Sequence, residues 1–283
     1  MKIASIKHNE QDYIAVVNDA AQVVSPIGTY RSMKELIKAV ALLKIPDSKS
    51  FNLKAALPFD AITWLAPLNN PQKILCVGRN YREHAAEMGA EVAEIPVIFS
   101  KVNSSLIGHD QAIHLPEISQ AVDYEAELVV VVGKGGRNIA IDKANEHVFG
   151  FCCGNDVTAR DWQKGKPGGQ WLLGKSFDTF GPIGPWVVTA DELSDPHNLE
   201  ISLHLNGFEM QHANTRELIF DIPFLIAHLS KFMTLSPGDL IFTGTPSGVG
   251  SGRSPAVFLQ AGDVVEVKIS EIGTLRNVVV ADC

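Results

Sequence analysis

The stretch AVDYEAELVVVVG, residues 121–133, joins an acidic segment directly to an apolar one. Leu128 to Val132 are five consecutive apolar residues, which is typical of a strand that is buried on both faces. Asp123, Glu125 and Glu127 precede them at intervals of two, so in an extended chain their side chains share one face. Because neighbouring like charges destabilise a sheet, we expect another part of the protein to neutralise this face.

Seven further strand-like runs lie between residues 73 and 269, each bounded by Gly, Pro, Asn or Asp. Helical patterns are fewer and fall at 81–89, 157–163 and 222–233. This balance predicts an α+β fold that is predominantly β, with curled or sandwiched sheets. The sequence contains no GxGxxG after a first strand and no GxxxxGK[ST], which disfavours a doubly wound nucleotide-binding fold.

Residues 1–66 predict a small N-terminal α/β domain. Three short strand-like runs are followed by SMKELIKAVALL, residues 32–43, an amphipathic helix with Ser32 as its N-cap. The Pro- and Asn-rich segment APLNNPQK, residues 66–73, then marks a domain boundary. We therefore expect a second, larger domain over residues 72–283.

The composition of the 283 residues limits the partners and the compartment. A net charge of −8 argues against nucleic acid as the main partner, because phosphate binding requires clustered Lys and Arg. No apolar stretch approaches the roughly 20 residues that span a bilayer, so we expect no membrane partner. The four cysteines lack zinc-type spacing and show no obvious disulfide pairs, which suggests a reducing compartment, the cytoplasm.

Glu125 and Glu127 are the first candidates for a functional site. On a strand their carboxylates would point to one side, at a spacing that a single divalent ion can bridge. Mg²⁺ takes oxygen ligands and usually keeps open positions for water or substrate, so a third carboxylate would come from elsewhere in the chain. A solvated acidic edge explains the spacing equally well.

The segment GNDVTARDWQ, residues 154–163, is the second candidate. If a helix begins at Asp156, then Asp156, Arg160 and Gln163 lie on one face of it. A carboxylate, a guanidinium and an amide would together suit a metal ion and a substrate carboxylate. An N-cap with an Asp–Arg surface pair is the simpler explanation of the same residues.

The segment GRNYREHAAEMG, residues 78–89, predicts a short helix in which Asn80 and Glu83 form a capping box. His84 and Glu87 are then neighbours at i and i+3. A carboxylate beside an imidazole can orient it as a general base, although most such pairs are surface pairs.

Two further segments contain candidate groups. Lys175, in GKSFDTFGPIGPW (174–186), could stabilise a developing enolate, or it could simply be solvated. In TGTPSGVG (243–250) the small residues would let backbone amides approach an anion, but an ordinary turn has the same composition.

Taken in order, these segments resemble the fumarylacetoacetate hydrolase family over about residues 72–280. Within that family they are most similar to the branch of fumarylacetoacetate hydrolase domain-containing proteins. The resemblance implies a mixed β-roll and a bound Mg²⁺, with Mn²⁺ or Ca²⁺ in some members. It implies the metal ligands Glu125, Glu127 and Asp156, with Asp123 outside the ligand set. It also implies a catalytic His84–Glu87 dyad carried on a lid, and Lys175 as the catalytic lysine. It further implies substrate contacts from Arg160, Gln163 and Thr245. We add Tyr81 as a substrate-binding candidate.

The expected function is hydrolysis of a carbon–carbon bond in an acylpyruvate-like 2-oxo or 2,4-dioxo acid, through an enolate beside the metal. Oxaloacetate keto–enol tautomerisation at the same site is the alternative, and decarboxylation or isomerisation could also occur there. A non-catalytic binder of oxo acids, or a structural protein with solvated acids, remains open. The expected partners are a small oxo acid and a second copy of the chain, since family members are usually homodimers.

Overall fold

The computed structural model describes residues 1–40, 51–87, 89 and 93–282. In these ranges the strands of the N-terminal half are β1 Lys2–His8, β2 Gln11–Asn18, β3 Val23–Pro26, β4 Leu57–Pro58, β5 Thr63–Leu65, β6 Ile74–Gly78, β7 Val97–Ser100, β8 Leu106–Ile107, β9 Ile113–Leu115 and β10 Val122–Asp123. Those that follow are β11 Ala126–Val132, β12 Val148–Asn155, β13 Thr158–Ala159, β14 Gly181–Thr189, β15 Glu200–Leu205, β16 Phe208–Asn214, β17 Leu240–Phe242, β18 Val264–Ile269 and β19 Gly273–Ala281. The α-helices are α1 Met33–Val40, α2 Arg82–Glu87, α3 Arg160–Gln163, α4 Trp171–Lys175 and α5 Ile222–Phe232.

Strand β11 lies inside the largest sheet and is buried along its whole length. It pairs antiparallel with β12 on one side and with β17 on the other. Leu128 and Val130 pack into one hydrophobic cluster, whereas Val129 and Val131 pack into a second cluster on the opposite face. The uninterrupted apolar run is therefore explained, because both faces of this strand are covered.

Two sheets and one short strand pair form the framework of the described residues. The large sheet has the order β4-β3-β2-β1-β14-β12-β11-β17-β6-β7, with β5 attached to β1 and β8 to β14. The second sheet has the order β16-β15-β18-β19-β9, and β10 pairs with β13. Apolar residues of both sheets share the first cluster, and α1 covers the opposite face of the large sheet. The predicted α+β fold dominated by sheet is confirmed.

The N-terminal region continues the large sheet, because β1 pairs antiparallel with β14. Its predicted helix is present as α1, and the Glu35 amide donates to Ser32 Oγ at 3.2 Å, as expected of an N-cap. Residues 41–43 of that prediction lie outside the described residues. The boundary between domains at residues 66–73 stays a prediction.

Two local predictions were wrong. Asp156 does not begin a helix, because Thr158 and Ala159 pair with β10 and α3 begins only at Arg160. Asn80 does not form a capping box, because its side-chain Oδ1 accepts from the Phe220 amide at 2.8 Å, while its Nδ2 donates to the carbonyl oxygens of Thr243 (2.7 Å) and Phe220 (3.0 Å). In both places tertiary hydrogen bonds replace the local pattern.

None of the described helices is long and apolar enough to cross a membrane.

Candidate active site

The acidic residues meet because β11 and β12 are antiparallel neighbours. The beginning of β11 faces the end of β12, with Ala126 opposite Asn155. The Asp156 amide donates to the Glu125 carbonyl oxygen at 2.9 Å, and the Glu125 amide donates to Asn155 Oδ1 at 2.9 Å. Two segments about 30 residues apart in the sequence are thus hydrogen-bonded to each other at the ends of two neighbouring strands.

Glu125, Glu127 and Asp156 each offer a carboxylate oxygen, and the three oxygens lie within 4.8 Å of one another. All three side chains are buried. Oxygen donors converging at this distance form the ligand type that Mg²⁺, Mn²⁺ and Ca²⁺ prefer. The structure therefore brings together the three residues that the sequence resemblance proposed as ligands.

Two buried lysines hold this acidic cluster. Lys175 Nζ donates to Glu125 Oε2 at 2.8 Å and to Asp156 Oδ2 at 2.7 Å. Lys101 Nζ donates to Asp156 Oδ1 at 2.6 Å and to the carbonyl oxygen of Val157 at 3.2 Å. An ammonium group has three donors, so Lys175 retains one that is free of the acids.

Arg160 links the cluster to the third acid of the opening stretch. Its Nε donates to Asp123 Oδ2 at 2.7 Å, and its Nη1 lies 2.7 Å from Glu125 Oε1 and 3.1 Å from Gln163 Oε1. Asp123 also accepts hydrogen bonds from the amides of Gly250 and Ser251. Its charge is therefore neutralised locally, whereas Arg160 Nη2 is buried without a partner among the described residues.

The cluster contains one more acidic side chain than basic side chains. Asp123, Glu125, Glu127 and Asp156 face the three basic groups of Lys101, Arg160 and Lys175. Burial would raise the pKa of Glu125, but Lys175 and Arg160 outweigh it and lower this pKa to about 2.

Glu127 is the carboxylate without a basic partner. It makes no ion pair within the described part of the chain, and its Oε2 accepts only the Gly244 amide, at 2.7 Å. Burial, together with Asp156 and Glu125, raises its pKa well above the ordinary value. A divalent cation among the three acids would balance this charge, so the residues present fit a metal ion.

His84 and Glu87 form the predicted pair on α2. His84 Nδ1 lies 3.1 Å from Glu87 Oε2, and the amide of Gly248 donates to Glu87 Oε1 at 2.9 Å. Burial would raise the pKa of Glu87, but these two hydrogen bonds dominate and lower it. Since an ionised carboxylate only accepts, Nδ1 must carry the proton, which leaves Nε2 with its lone pair.

The segment after β17 closes the site from the other side. Gly244 reaches Glu127 through its amide, and the Thr245 side chain is 97% buried against Gln211. Gln211 Nε2 donates to Thr245 Oγ1 at 2.9 Å, while its Oε1 accepts the Ala126 amide at 2.9 Å. Gln211 therefore connects Thr245 to the start of β11.

One pocket collects most of these groups. It is lined by Val77, Gly78, Arg79, His84, Phe99, Glu125, Glu127, Arg160, Gln163, Lys164, Trp171, Lys175 and Thr245. Of the other predicted residues, Asp156 is fully buried within the triad and Glu87 lies behind His84. Tyr81 does not line the pocket, and its buried hydroxyl has no partner in the described ranges.

Sequence reasoning missed Lys101, Gln211, Arg79 and Lys164. Lys101 gave one weak signal, as a lone lysine at the end of the apolar strand PVIFSK. Gln211 gave none, because an amide in a hairpin has many possible partners. These residues reach the site only through the pairing of distant strands.

Comparison with known proteins agrees with this geometry. Residues 73–280 match the family described as fumarylacetoacetate (FAA) hydrolase C-terminal. The mitochondrial oxaloacetate tautomerase of Xenopus laevis is 52% identical over 219 residues, which cover 77% of this chain and 69% of that protein. A Homo sapiens mitochondrial oxaloacetate tautomerase is 50% identical over 224 residues, 79% of this chain and 71% of that protein.

Solved structures resemble the whole chain. Fumarylacetoacetate hydrolase of Exiguobacterium antarcticum has a TM-score of 0.88 at 36% identity, with 100% of both chains covered. Maleylpyruvate hydrolase of Sphingobium sp. SYK-6, solved with manganese(II) and pyruvate, has a TM-score of 0.81 at 29% identity, again with 100% of both chains covered.

The comparisons correct one expectation and establish another. The prediction of a cytoplasmic location is wrong, since the Xenopus laevis and Homo sapiens relatives are mitochondrial proteins. Cysteine usage indicates only a reducing environment and cannot distinguish one such compartment from another. The predicted fold type is confirmed by likeness over the full length. With the match over residues 73–280 and relatives at about 50% identity, the chain belongs to the fumarylacetoacetate hydrolase family.

Proposed function

We propose that this protein catalyses the keto–enol tautomerisation of oxaloacetate, or of a closely similar 2-oxo acid, with Mg²⁺ on Glu125, Glu127 and Asp156. One observation supports this most directly: His84, a base held by Glu87, lines the same pocket as the acid triad and Lys175. A proton-transfer group thus shares a cavity with a site for an oxo acid. The two relatives named above, both oxaloacetate tautomerases, support the same choice.

The substrate would be held by groups that have unused hydrogen-bonding capacity. Arg160 Nη2 is buried, faces no acceptor among the described residues and belongs to a side chain that lines the pocket. It is the donor best placed to bind the carboxylate next to the oxo group. A divalent ion on the triad would act as a Lewis acid toward the oxo oxygen.

The proton transfer is assigned to His84. With Nδ1 donating to Glu87, Nε2 can remove a proton from the carbon beside the oxo group, and the resulting imidazolium can return one to oxygen. The reverse sequence converts the enol to the ketone, so the total number of protons is unchanged. The remaining N–H of Lys175 would stabilise negative charge on the oxygen between these two steps.

Hydrolysis of an acylpyruvate-like bond, the first expectation from the sequence, becomes the second candidate. The structural likeness to maleylpyruvate hydrolase favours it, since a site of this family can support that reaction. In that case the His84–Glu87 dyad would deprotonate a water molecule instead of a carbon acid. The residues are the same, and the difference lies in the group that receives or loses the proton.

The test follows the absorbance of the enol of oxaloacetate with purified, Mg²⁺-loaded protein, beside a panel of acylpyruvates and fumarylpyruvate. We expect rapid loss of the enol signal by wild-type protein, and a decrease in rate of about 10²- to 10⁴-fold in His84→Ala. Arg82→Gln, an exposed change on the same helix, is the control. Cleavage of the acylpyruvates without tautomerisation would replace the first candidate with the second, and near-normal rates in His84→Ala would refute the assigned base.

A further inference from the structure

The rim of the pocket has two positive side chains that the mechanism above does not use. Arg79 and Lys164 line it together with the apolar walls formed by Phe99, Trp171 and Val77. We propose that Arg79 and Lys164 bind the second carboxylate of the substrate and so select short 2-oxo dicarboxylates over 2-oxo monocarboxylates. This inference rests on the proposed function, because it assumes that an oxo acid occupies the pocket.

The backbone holds Arg79 at this position in an uncommon conformation. Its φ is +58°, a left-handed value that side chains other than glycine rarely adopt. On one side β6 ends at Gly78, and on the other the amide of Asn80 is tied to Thr243 and Phe220. Strained backbone of this kind tends to be retained at functional sites, where the surrounding structure imposes it.

Both rim cations lack an acidic partner. Neither forms an ion pair in ranges 1–40, 51–87, 89 and 93–282, although acids are numerous in this chain. Partial burial, Arg160 and Arg79 lower the pKa of Lys164, and this effect exceeds the opposing one of Glu125 and Asp123. Arg160 is already paired with Asp123 and Glu125, whereas Arg79 and Lys164 keep their donors for a bound carboxylate.

The arrangement also separates two ends of a ligand. The acid triad and Arg160 are buried, where they suit the oxo-carboxylate end, whereas Arg79 is half-buried and Lys164 is exposed, which places these two cations on the solvent side of the pocket. The pocket lining also includes two aromatic rings, Phe99 and Trp171, whose centroids lie 5.2 Å apart in an edge-to-face arrangement. A Cβ on Gly78 would lie 3.0 Å from the Trp171 ring. A second carboxylate would therefore find its hydrogen-bond donors at Arg79 and Lys164.

The experiment compares a dicarboxylate with a monocarboxylate on the same variants. Dissociation constants for oxaloacetate and for pyruvate are measured by calorimetry on Mg²⁺-loaded wild-type protein, Arg79→Gln, Lys164→Gln and the double variant. For the double variant we expect oxaloacetate to bind about 10- to 100-fold more weakly, because charged hydrogen bonds are lost. We expect pyruvate binding to change less than twofold, and the loss of affinity to appear in KM for oxaloacetate rather than in kcat.

Two matched variants control for the removal of positive charge. Arg82→Gln lies three residues after Arg79, and Lys166→Gln lies two residues after Lys164, with its Nζ placed over the Trp162 ring at 5.0 Å. Neither lines the pocket, so both should bind oxaloacetate as wild type does. Equal weakening of both ligands in the rim variants, or no weakening of either, would overturn the inference. If the wild-type protein tautomerises neither acid, the proposed function fails, while the two dissociation constants still decide the role of the rim.

Discussion

Glu87 contacts both the proposed base, His84, and the loop that follows β17. One carboxylate oxygen contacts His84, and the other accepts the Gly248 amide. Burial would raise the pKa of Glu87, but the hydrogen bonds from His84 and from the Gly248 amide lower it, which favours the ionised carboxylate that accepts from His84 Nδ1. A single atom added near this carboxylate would therefore test the dyad without removing either member of it.

Gly252→Ala provides that atom. A Cβ at Gly252 would lie 2.6 Å from Glu87 Cδ and Oε1, so the Glu87 side chain must move away. Because the displaced atoms belong to the end of a flexible side chain, we expect a small effect on the free energy of unfolding, about 1 kcal/mol or less. Turnover of oxaloacetate enol should fall about tenfold or more as His84 loses its orienting group.

Ser251→Ala is the control for Gly252→Ala. The Ser251 hydroxyl is buried without a partner in the part of the chain that the structure describes, so its removal should leave turnover unchanged. Enzyme assays and urea unfolding on both variants supply the measurements. Full activity in Gly252→Ala would show that the Glu87 contact does not orient the base.

The hairpin of β15 and β16 gives a prediction at the scale of one element. His212 Nδ1 lies 3.0 Å from Glu209 Oε2 and its Nε2 lies 3.2 Å from Glu200 Oε2, and these two hydrogen bonds raise its pKa above 6.5. Protonated His212 therefore stabilises the folded hairpin below about pH 6.5, and this contribution is lost as pH rises through the pKa in the native state.

NMR titration of the histidines measures this shift. The His212 pKa should exceed 6.5 and move down in Glu200→Gln, where one partner loses its charge. His228 is the internal reference, since burial and Lys231 lower its pKa. The electrostatic explanation would be contradicted by a His212 pKa at or below that of His228.

Strand β11 shows which structural properties of an element can be predicted from its local sequence. The apolar run predicted a strand covered on both faces, and Val129 and Val130 do enter different clusters. The prediction for Asp156 failed in the neighbouring element, because the hydrogen bonds of Thr158 and Ala159 to β10 delay the helix until Arg160. Local helical spacing could not include that cross-strand pairing.

For the whole molecule, the metal site links folding to ion binding. Its ligands lie in or directly beside two different strands, so they converge only in the folded chain, and an ion that binds there stabilises the folded state. At a hundred times its dissociation constant, Mg²⁺ or Mn²⁺ should add about 2.7 kcal/mol. For a chain of this size we expect a rise of roughly 5–10 °C in Tm relative to the protein in chelator.

Glu127→Gln separates the ion from the fold in this measurement. The amide can still accept the Gly244 hydrogen bond, but it cannot supply the third carboxylate ligand. Without an ion, burial favours the neutral form of Glu127 by raising its pKa well above the ordinary value, so a neutral amide suits the same environment. We expect the metal-dependent rise in Tm to disappear while the Tm in chelator is no lower than that of wild type. Glu117→Gln, an exposed change, should behave as wild type. A full metal response in Glu127→Gln would exclude this residue as a ligand.

The sequence by itself determined the sheet-rich fold class, the strands of the core and the residue types of the site. It could do so because the periodicity of apolar residues and the ligand chemistry of side chains are local properties of the chain. It also supplied the ordered motifs that resemble one family. Only the tertiary structure decided which polar groups share the site: Lys101 donates to Asp156, Arg160 to Asp123 and Gln211 to Thr245, and Arg79 and Lys164 line the same pocket. The members of each pair come from segments far apart in the chain, and only strand pairing and burial bring these segments to one site.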